Sequence, residues 1–236
     1  MEKVSLLQRI TAYEAMIFFF LAVAVMFMIL SANLYMKTMD PTAGRIFFTS
    51  LVLLIMGLVG WIAYNQLGEK IRYETLNRKY LMVAILIVLG SWWLGCTLFK
   101  LGIYESGLAS TIAPDKLIQI LSYLASLFLI MFAFIENLVF VVVVPQYILE
   151  VILKTPLEKA TIGHYILAAI IAGVIAALAH VAWKPLPALI NTFIYFTSWA
   201  LSTLLIKNSI IADVVHMTGN ALGLLYMTIS PEYILW

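Results

Sequence analysis

Charge is what this chain has least of. Asp, Glu, Lys and Arg make up 11% of its 236 residues, where a soluble globular domain carries about 25%. With 64% of the residues hydrophobic and a mean hydropathy of +1.04, no soluble fold of this length has interior enough to hide the apolar surface, so the chain belongs in a bilayer. The same shortage excludes a disordered chain, which needs low hydrophobicity and high charge. A formal net charge of +2, with no basic run long enough to track phosphates, excludes a nucleic-acid partner. The lone cysteine, Cys96, cannot form an intramolecular disulfide and leaves the redox compartment unread. Also missing are a His-Glu-x-x-His run, a Gly-x-Ser-x-Gly elbow and a Gly-rich phosphate loop followed by Lys. Their absence sets aside zinc proteases of that type, serine hydrolases and P-loop enzymes.

What is present is a series of long apolar runs. A transmembrane helix needs about 20 mostly apolar residues, and seven such stretches fall near 15–36, 46–66, 80–103, 120–147, 164–183, 186–206 and 209–229. Polar breaks divide them at Lys37 to Arg45, Gly68 to Lys79, Gly102 to Lys116 and Glu150 to Lys159, then briefly at Lys184-Pro185 and Lys207-Asn208. No barrel-like alternation occurs, and backbone groups in lipid must be paired internally, so the expected fold is an all-α polytopic bundle of about seven spans. Residues 1–116 hold three of them and 117–236 the other four. The first run is longer than a signal-peptide core and lacks a small-residue cleavage site, so it is expected to remain as an anchor. With the amino terminus inside, Lys3, Arg9, Lys70, Arg72, Arg78, Lys79, Lys154, Lys159 and Lys207 lie on the inner side, and Lys37, Arg45, Lys100, Lys116 and Lys184 on the outer. This excess predicts a cytoplasmic amino terminus and, with seven spans, an external carboxyl terminus. Tyr80, Trp92, Trp93, Trp183, Tyr226, Tyr233 and Trp236 stand mostly near span ends as interfacial anchors. The two halves show no repeat of the kind many transporters carry.

Four ionisable residues lie well inside spans: Glu136, His180, Asp213 and His216. A charged side chain at the centre of a membrane helix costs about 2.5–3.5 kcal/mol on insertion scales, so each needs a partner or a polar cavity and is a functional candidate. Glu136 has more than ten apolar residues on either side and has the chemistry of a general base; its bland reading is a protonated packing acid. His216 and Asn220 are spaced i and i+4 and share a helix face, with Asp213 one turn before. An imidazole and a carboxamide so placed can donate two hydrogen bonds to one oxyanion, or can serve as interhelical polar glue. His180 closes a run of small residues, Ala172-Gly173-Val174-Ile175-Ala176-Ala177-Leu178-Ala179, that lets another helix approach closely. His164 sits at a span boundary, Asn33, Asn65 and Asn191 read as helix-end or packing amides, and Cys96 as an inert core thiol.

One Glu helix, one His helix, an intervening helix and then a His-x-x-x-Asn helix resemble the CPBP family, the membrane-embedded CAAX-processing and bacteriocin-immunity proteases that include the prenyl-protein endopeptidases. Its motifs are Glu-Glu-x-x-x-Arg, Phe-x-x-x-His and His-x-x-x-Asn or Asp. Glu136 matches the first glutamate, His180 the second motif's histidine, and His216 with Asn220 the third motif. The stretch Ile206-Lys207-Asn208-Ser209-Ile210-Ile211-Ala212 also looks like the family, and the resemblance covers residues 120 to 230. Three positions depart from it: Asn137 for the second glutamate, Val141 for the arginine and Ala176 for the phenylalanine. The resemblance implies a metal-free peptidase without cofactor, acting on a peptide or membrane-protein substrate within the bilayer. In it Glu136 activates water with one histidine, and the other histidine and Asn220 hold the oxyanion. The departures motivate an alternative, a catalytically degenerate scaffold or partner-binding subunit.

Two further chemistries use the same residues. Glu136, His180, Asp213 and His216 form an N/O set that zinc accepts, and His180 with His216 could ligate a haem. Depth arithmetic strains any joint site. At 1.5 Å per residue His216 lies roughly 9 Å from the inner edge and His180 roughly 24 Å, with Glu136 and Asn220 at about 15 Å.

Overall fold

A computed structural model describes residues 11–68, 70–100, 132–181 and 186–229. They form long helices with no strand among the described residues: α1 (Ala12–Thr38), α2 (Pro41–Gln66), α3 (Leu81–Lys100), α4 (Phe132–Ile152), α5 (Ile162–Ala179), α6 (Leu186–Ile206) and α7 (Ile210–Ile229). The expected all-α class and about seven spans agree with this architecture. Helices α1 to α6 are each long and apolar enough to cross a membrane, and the fold is that of an integral membrane protein. The first part of the expected fourth span, the break before it and both chain ends lie outside the described residues, as do Trp183 and the side chain of Cys96.

Local chemistry explains the helix ends. At the start of α1 the Thr11 hydroxyl accepts the Glu14 N–H at 3.2 Å while the Glu14 carboxylate accepts the Thr11 N–H at 2.9 Å, a reciprocal cap that satisfies two orphan donors. Met39 turns left-handed at φ 54° and Pro41 opens α2, where a missing N–H costs nothing. The α1–α2 hairpin is closed by that two-residue turn. His164, expected at a boundary, caps α5: its Nδ1 accepts the Thr161 N–H at 3.1 Å.

Helix α4 is the central element, with 78% of its apolar stretch buried against 22–33% for α1, α2, α3 and α5. Its core residues Phe134, Ile135 and Leu138 pack with Tyr13, Ile17 and Phe20 of α1, Tyr64 of α2, Ala168 and Ala172 of α5, and Leu204 of α6. It is not a regular α-helix. Leu138–Val143 and Ile148–Ile152 are π-helical around a short α segment, Val144–Tyr147. Pro145 sits in that segment and has no N–H to return to the preceding turn, which disfavours the i→i−4 ladder there. The helix also runs five residues past the expected end at 147, carrying Glu150 to where its carboxylate accepts the Gly68 N–H at 3.0 Å.

Helix α5 meets α6 through small residues. Ala168, Ala169, Ala172, Gly173 and Ala176 are buried in succession. A methyl added at Gly173 would run into the Thr197 hydroxyl and come 3.0 Å from the Phe193 carbonyl oxygen. His180 is the next position of that stripe after Ala172 and Ala176.

The segment between α2 and α3 is fastened to the α6–α7 corner. Lys207 turns left-handed at φ 57°, which aims Asn208 inward. The Asn208 Nδ2 hydrogens are shared among the carbonyls of Arg72, Tyr73 and Thr75 at 3.1, 2.9 and 2.6 Å. Its Oδ1 accepts the Ile210 N–H at 2.9 Å and so caps α7. The Thr75 hydroxyl donates to the Lys207 carbonyl at 2.6 Å, and the Asn77 N–H to that of Ile206 at 2.7 Å. Replacing Asn208 by Ala leaves several of these groups without partners and should cost about 2–4 kcal/mol, measured as a lowered Tm of the purified protein in detergent. A loss below about 0.5 kcal/mol would mean that the corner is held elsewhere.

Candidate functional site

Three of the four residues singled out by sequence meet at one carboxylate. The His180 Nε2 lies 3.4 Å from Glu136 Oε1, and the His216 Nε2 lies 3.5 Å from Glu136 Oε2. The histidine side chains are 4% and 11% exposed and that of Glu136 is 18% exposed, so the open side of the cluster is the carboxylate. Asn220 stands one turn beyond His216 on α7 and is partly buried.

Hydrogen bonds fix which ring nitrogen faces Glu136. The His180 Nδ1 is 2.7 Å from the Ala176 carbonyl oxygen; a carbonyl only accepts, so Nδ1 carries the proton and Nε2 turns to Glu136. The His216 Nδ1 is 3.0 Å from Asn137 Oδ1. The Asn137 amide cannot be turned round, because its Nδ2 donates to Asp213 Oδ1 at 2.8 Å. Hence Nδ1 of His216 is also a donor, and both Nε2 atoms converge on one carboxylate.

Asp213 anchors this arrangement. Besides Asn137, its carboxylate accepts hydrogen bonds from Ser209 Oγ at 2.8 Å and from the Tyr73 hydroxyl at 3.1 Å. Three donors from three parts of the chain compensate a carboxylate that is 3% exposed, as burial of charge requires. Tyr73 lies outside the spans, between α2 and α3. Burial first, then the neighbouring Asp213 charge and the hydrogen bond to it, push its phenol well above the usual range, so it remains a donor.

The depth arithmetic given above does not hold, because both imidazoles reach the same carboxylate; the fold-back of the His180 ring accounts for only part of the roughly 15 Å between the two estimates. The His180 ring folds back on the carbonyl of Ala176, four residues earlier, about 5 Å down the helix. Phe196, midway along α6, packs against both imidazoles, with ring centroids 5.8 Å from His180 and 5.7 Å from His216. Trp199 covers His216 at 4.5 Å, and Phe140 lies 6.2 Å from His180. Aromatic walls therefore enclose both rings, and both reach the one carboxylate of Glu136.

The sequence marked Asp213 as a companion of His216, but its partners lie elsewhere: on Asn137, Ser209 and Tyr73. Asn137 entered only as a departure from a motif. Ser209, four residues before Asp213, carried a readable i,i+4 signal, while Tyr73, in a polar break 140 residues away, carried none. Among the described residues no group of three or more His, Cys, Asp and Glu side chains is arranged to hold a metal ion. No protein-family model, curated protein or solved structure matches the chain.

The hydrogen-bond logic makes a spectroscopic prediction. Nitrogen NMR of the neutral histidines should report both His180 and His216 as Nδ1-protonated. In Asn137→Leu, His216 should shift to mixed tautomers while His180 is unchanged. An Nε2-protonated His216 in the unsubstituted protein would contradict the chain from Asp213 through Asn137.

Proposed function

We propose that this integral membrane protein is a metal-free, glutamate-type endopeptidase that hydrolyses a peptide bond at membrane depth, as its resemblance to the CPBP family implies. The observation that carries the reading is that each oxygen of Glu136 faces an imidazole Nε2 whose Nδ1 is already committed. Such a cluster can pass protons between a carboxylate and two bases without moving a side chain. Glu136, the most exposed of the three, holds the attacking water and takes its proton. His180 faces the same carboxylate and helps orient that water.

His216 and Asn220 share one face of α7 and supply donors to the oxyanion of the tetrahedral intermediate. To donate from Nε2 while Nδ1 bonds Asn137, His216 acts in this step as the imidazolium. Collapse of the intermediate breaks the C–N bond, and the proton held on Glu136 passes to the leaving amine. The substrate is a peptide or a membrane-protein segment entering from the bilayer, with no nucleic acid and no cofactor involved. The amino terminus lies on the cytoplasmic side.

The test uses the full chain in lipid nanodiscs with a mixture of peptides, cleavage being read by mass spectrometry. Glu136→Gln should abolish cleavage. Alanine at His216 or Asn220 should lower turnover by about 10²–10³. Activity should survive strong zinc chelators. Cleavage that persists in Glu136→Gln overturns the proposal, and an unsubstituted protein that cleaves nothing but retains a bound partner would favour the scaffold reading.

A further inference from the structure

The cations of the segment between α2 and α3 are not alike. Lys70 lies 3.1 Å from Asn65 Oδ1 and over the Tyr64 ring at 5.5 Å, and both Lys70 and Arg72 stand near the Glu14 carboxylate. Three acids of the same side are committed to backbone donors. Glu14 caps α1, Glu74 accepts the Ala12 N–H at 3.3 Å, and Glu150 accepts the Gly68 N–H at 3.0 Å. Arg78 and Lys79 differ from the first two cations. Both are exposed, and among the described residues neither is paired with a carboxylate.

Backbone bonds bring a third cation to the same place. The Asn77 N–H donates to the Ile206 carbonyl at 2.7 Å, and the Thr75 hydroxyl donates to that of Lys207 at 2.6 Å. Arg78 and Lys207 therefore each follow one member of a hydrogen-bonded pair, and the single turn Arg78–Tyr80 packs against α6. Long cationic side chains rooted this close together can meet at one phosphate. Lys207 also holds its place at a φ of 57°, a left-handed helix end that glycine adopts without steric cost.

The corner carries apolar surface as well. Leu76 is 41% exposed, although Thr75 and Asn77 on either side of it are tied down by hydrogen bonds. The Lys79 Nζ lies 5.2 Å from the centre of the Tyr80 ring, and Tyr80 stands where α3 begins, as interfacial aromatics do. Basic pockets between helix ends on the cytoplasmic side suit lipid phosphates, and an exposed leucine beside them suits the acyl boundary. A soluble polyanion would use the cations but leave Leu76 in water.

We propose that Arg78, Lys79 and Lys207, where α3, α6 and α7 meet the inner surface, bind the headgroup of one anionic phospholipid. Its phosphate accepts from the guanidinium and the two ammonium groups, and Leu76 stands among the upper methylenes of its chains. The lipid abuts the segment that carries Tyr73 to Asp213, because Asn208, next to Lys207, holds the Tyr73 carbonyl. The site does not depend on the peptidase reading.

The test is native mass spectrometry of the full chain in detergent with equimolar phosphatidylglycerol and phosphatidylcholine. The unsubstituted protein should retain the anionic lipid at least about ten-fold over the zwitterionic one, and each cation removed should lower that preference about five-fold. Lys207→Gly is the sharpest variant, because glycine suits the backbone there: the Tm should hold or rise while the preference falls. Arg78→Gln with Lys79→Gln should lower the preference further. Lys37→Gln with Arg45→Gln, on the opposite side, should leave it unchanged. No preference in the unsubstituted protein overturns the proposal, as does one that the outer pair lowers equally, which would mean general attraction to anions. A lowered Tm with unchanged lipid preference in Lys207→Gly would assign that lysine to the end of α6 and overturn its role here. Displacement of the lipid by glycerol phosphate at equal concentration would assign the corner to soluble phosphates and overturn the membrane partner.

Discussion

A carboxylate buried between membrane helices is tolerated only when its hydrogen bonds are made inside the protein, and Asp213 is where this fold meets that demand. It draws Asn137 from α4, Ser209 from the start of α7 and Tyr73 from the segment between α2 and α3. Removing one donor leaves a charge that water cannot reach, so the three elements are held together more firmly than apolar contact alone would hold them. Lipid is as apolar as leucine, and helices in it gain little from burying apolar side chains against one another. Polar knots and close backbone approach have to supply the difference.

The remaining architecture follows from placing that knot. The small-residue stripe of α5 brings its backbone against α6 and delivers His180 at the end of the stripe, where Phe140 and Phe196 receive the ring. The π-helical turns after Asn137 alter the register of α4 beyond the site while Glu136 and Asn137 stay in regular helix. Adjacent residues of one helix then point to different duties: Glu136 to the two Nε2 atoms, Asn137 to the Nδ1 of His216 and to Asp213. The Asn208 corner fixes Tyr73 at the membrane boundary, so a loop outside the bilayer helps set the orientation of a histidine within it.

Much of this was legible in the sequence because charge is so scarce. Apolar runs gave the order and extent of the helices, and deep placement alone marked Glu136, His180, His216 and Asp213. The failures have a common cause. Treating each residue as a point on a straight helix axis separated His180 from His216 in depth, and neither a ring that folds back along its helix nor the course of the helix axes has a signature in residue spacing. Tyr73 looked like any loop tyrosine, and its partner is 140 residues away. Trp199 and Phe196 looked like ordinary apolar residues, and the π turns are a response to Pro145 and packing that periodicity does not register. Asn137 was visible but read by what it was not.

That last residue bears on how much its substitution costs under the proposed function. Against the Glu-Glu-x-x-x-Arg pattern that the chain resembles, Asn137 removes one negative charge and Val141 removes one positive charge, so the local balance around Glu136 is preserved. An arginine at 141 would have no place in this packing, because Val141 is fully buried with Trp199, Phe196 and Ala212. A glutamate at 137 would set a third carboxylate beside Glu136 and Asp213. The amide instead presents a donor to Asp213 and an acceptor to His216, which a carboxylate cannot do. On the proposed reading the second carboxylate of the cluster stands on α7 rather than α4, and its influence reaches the histidine through a neutral amide.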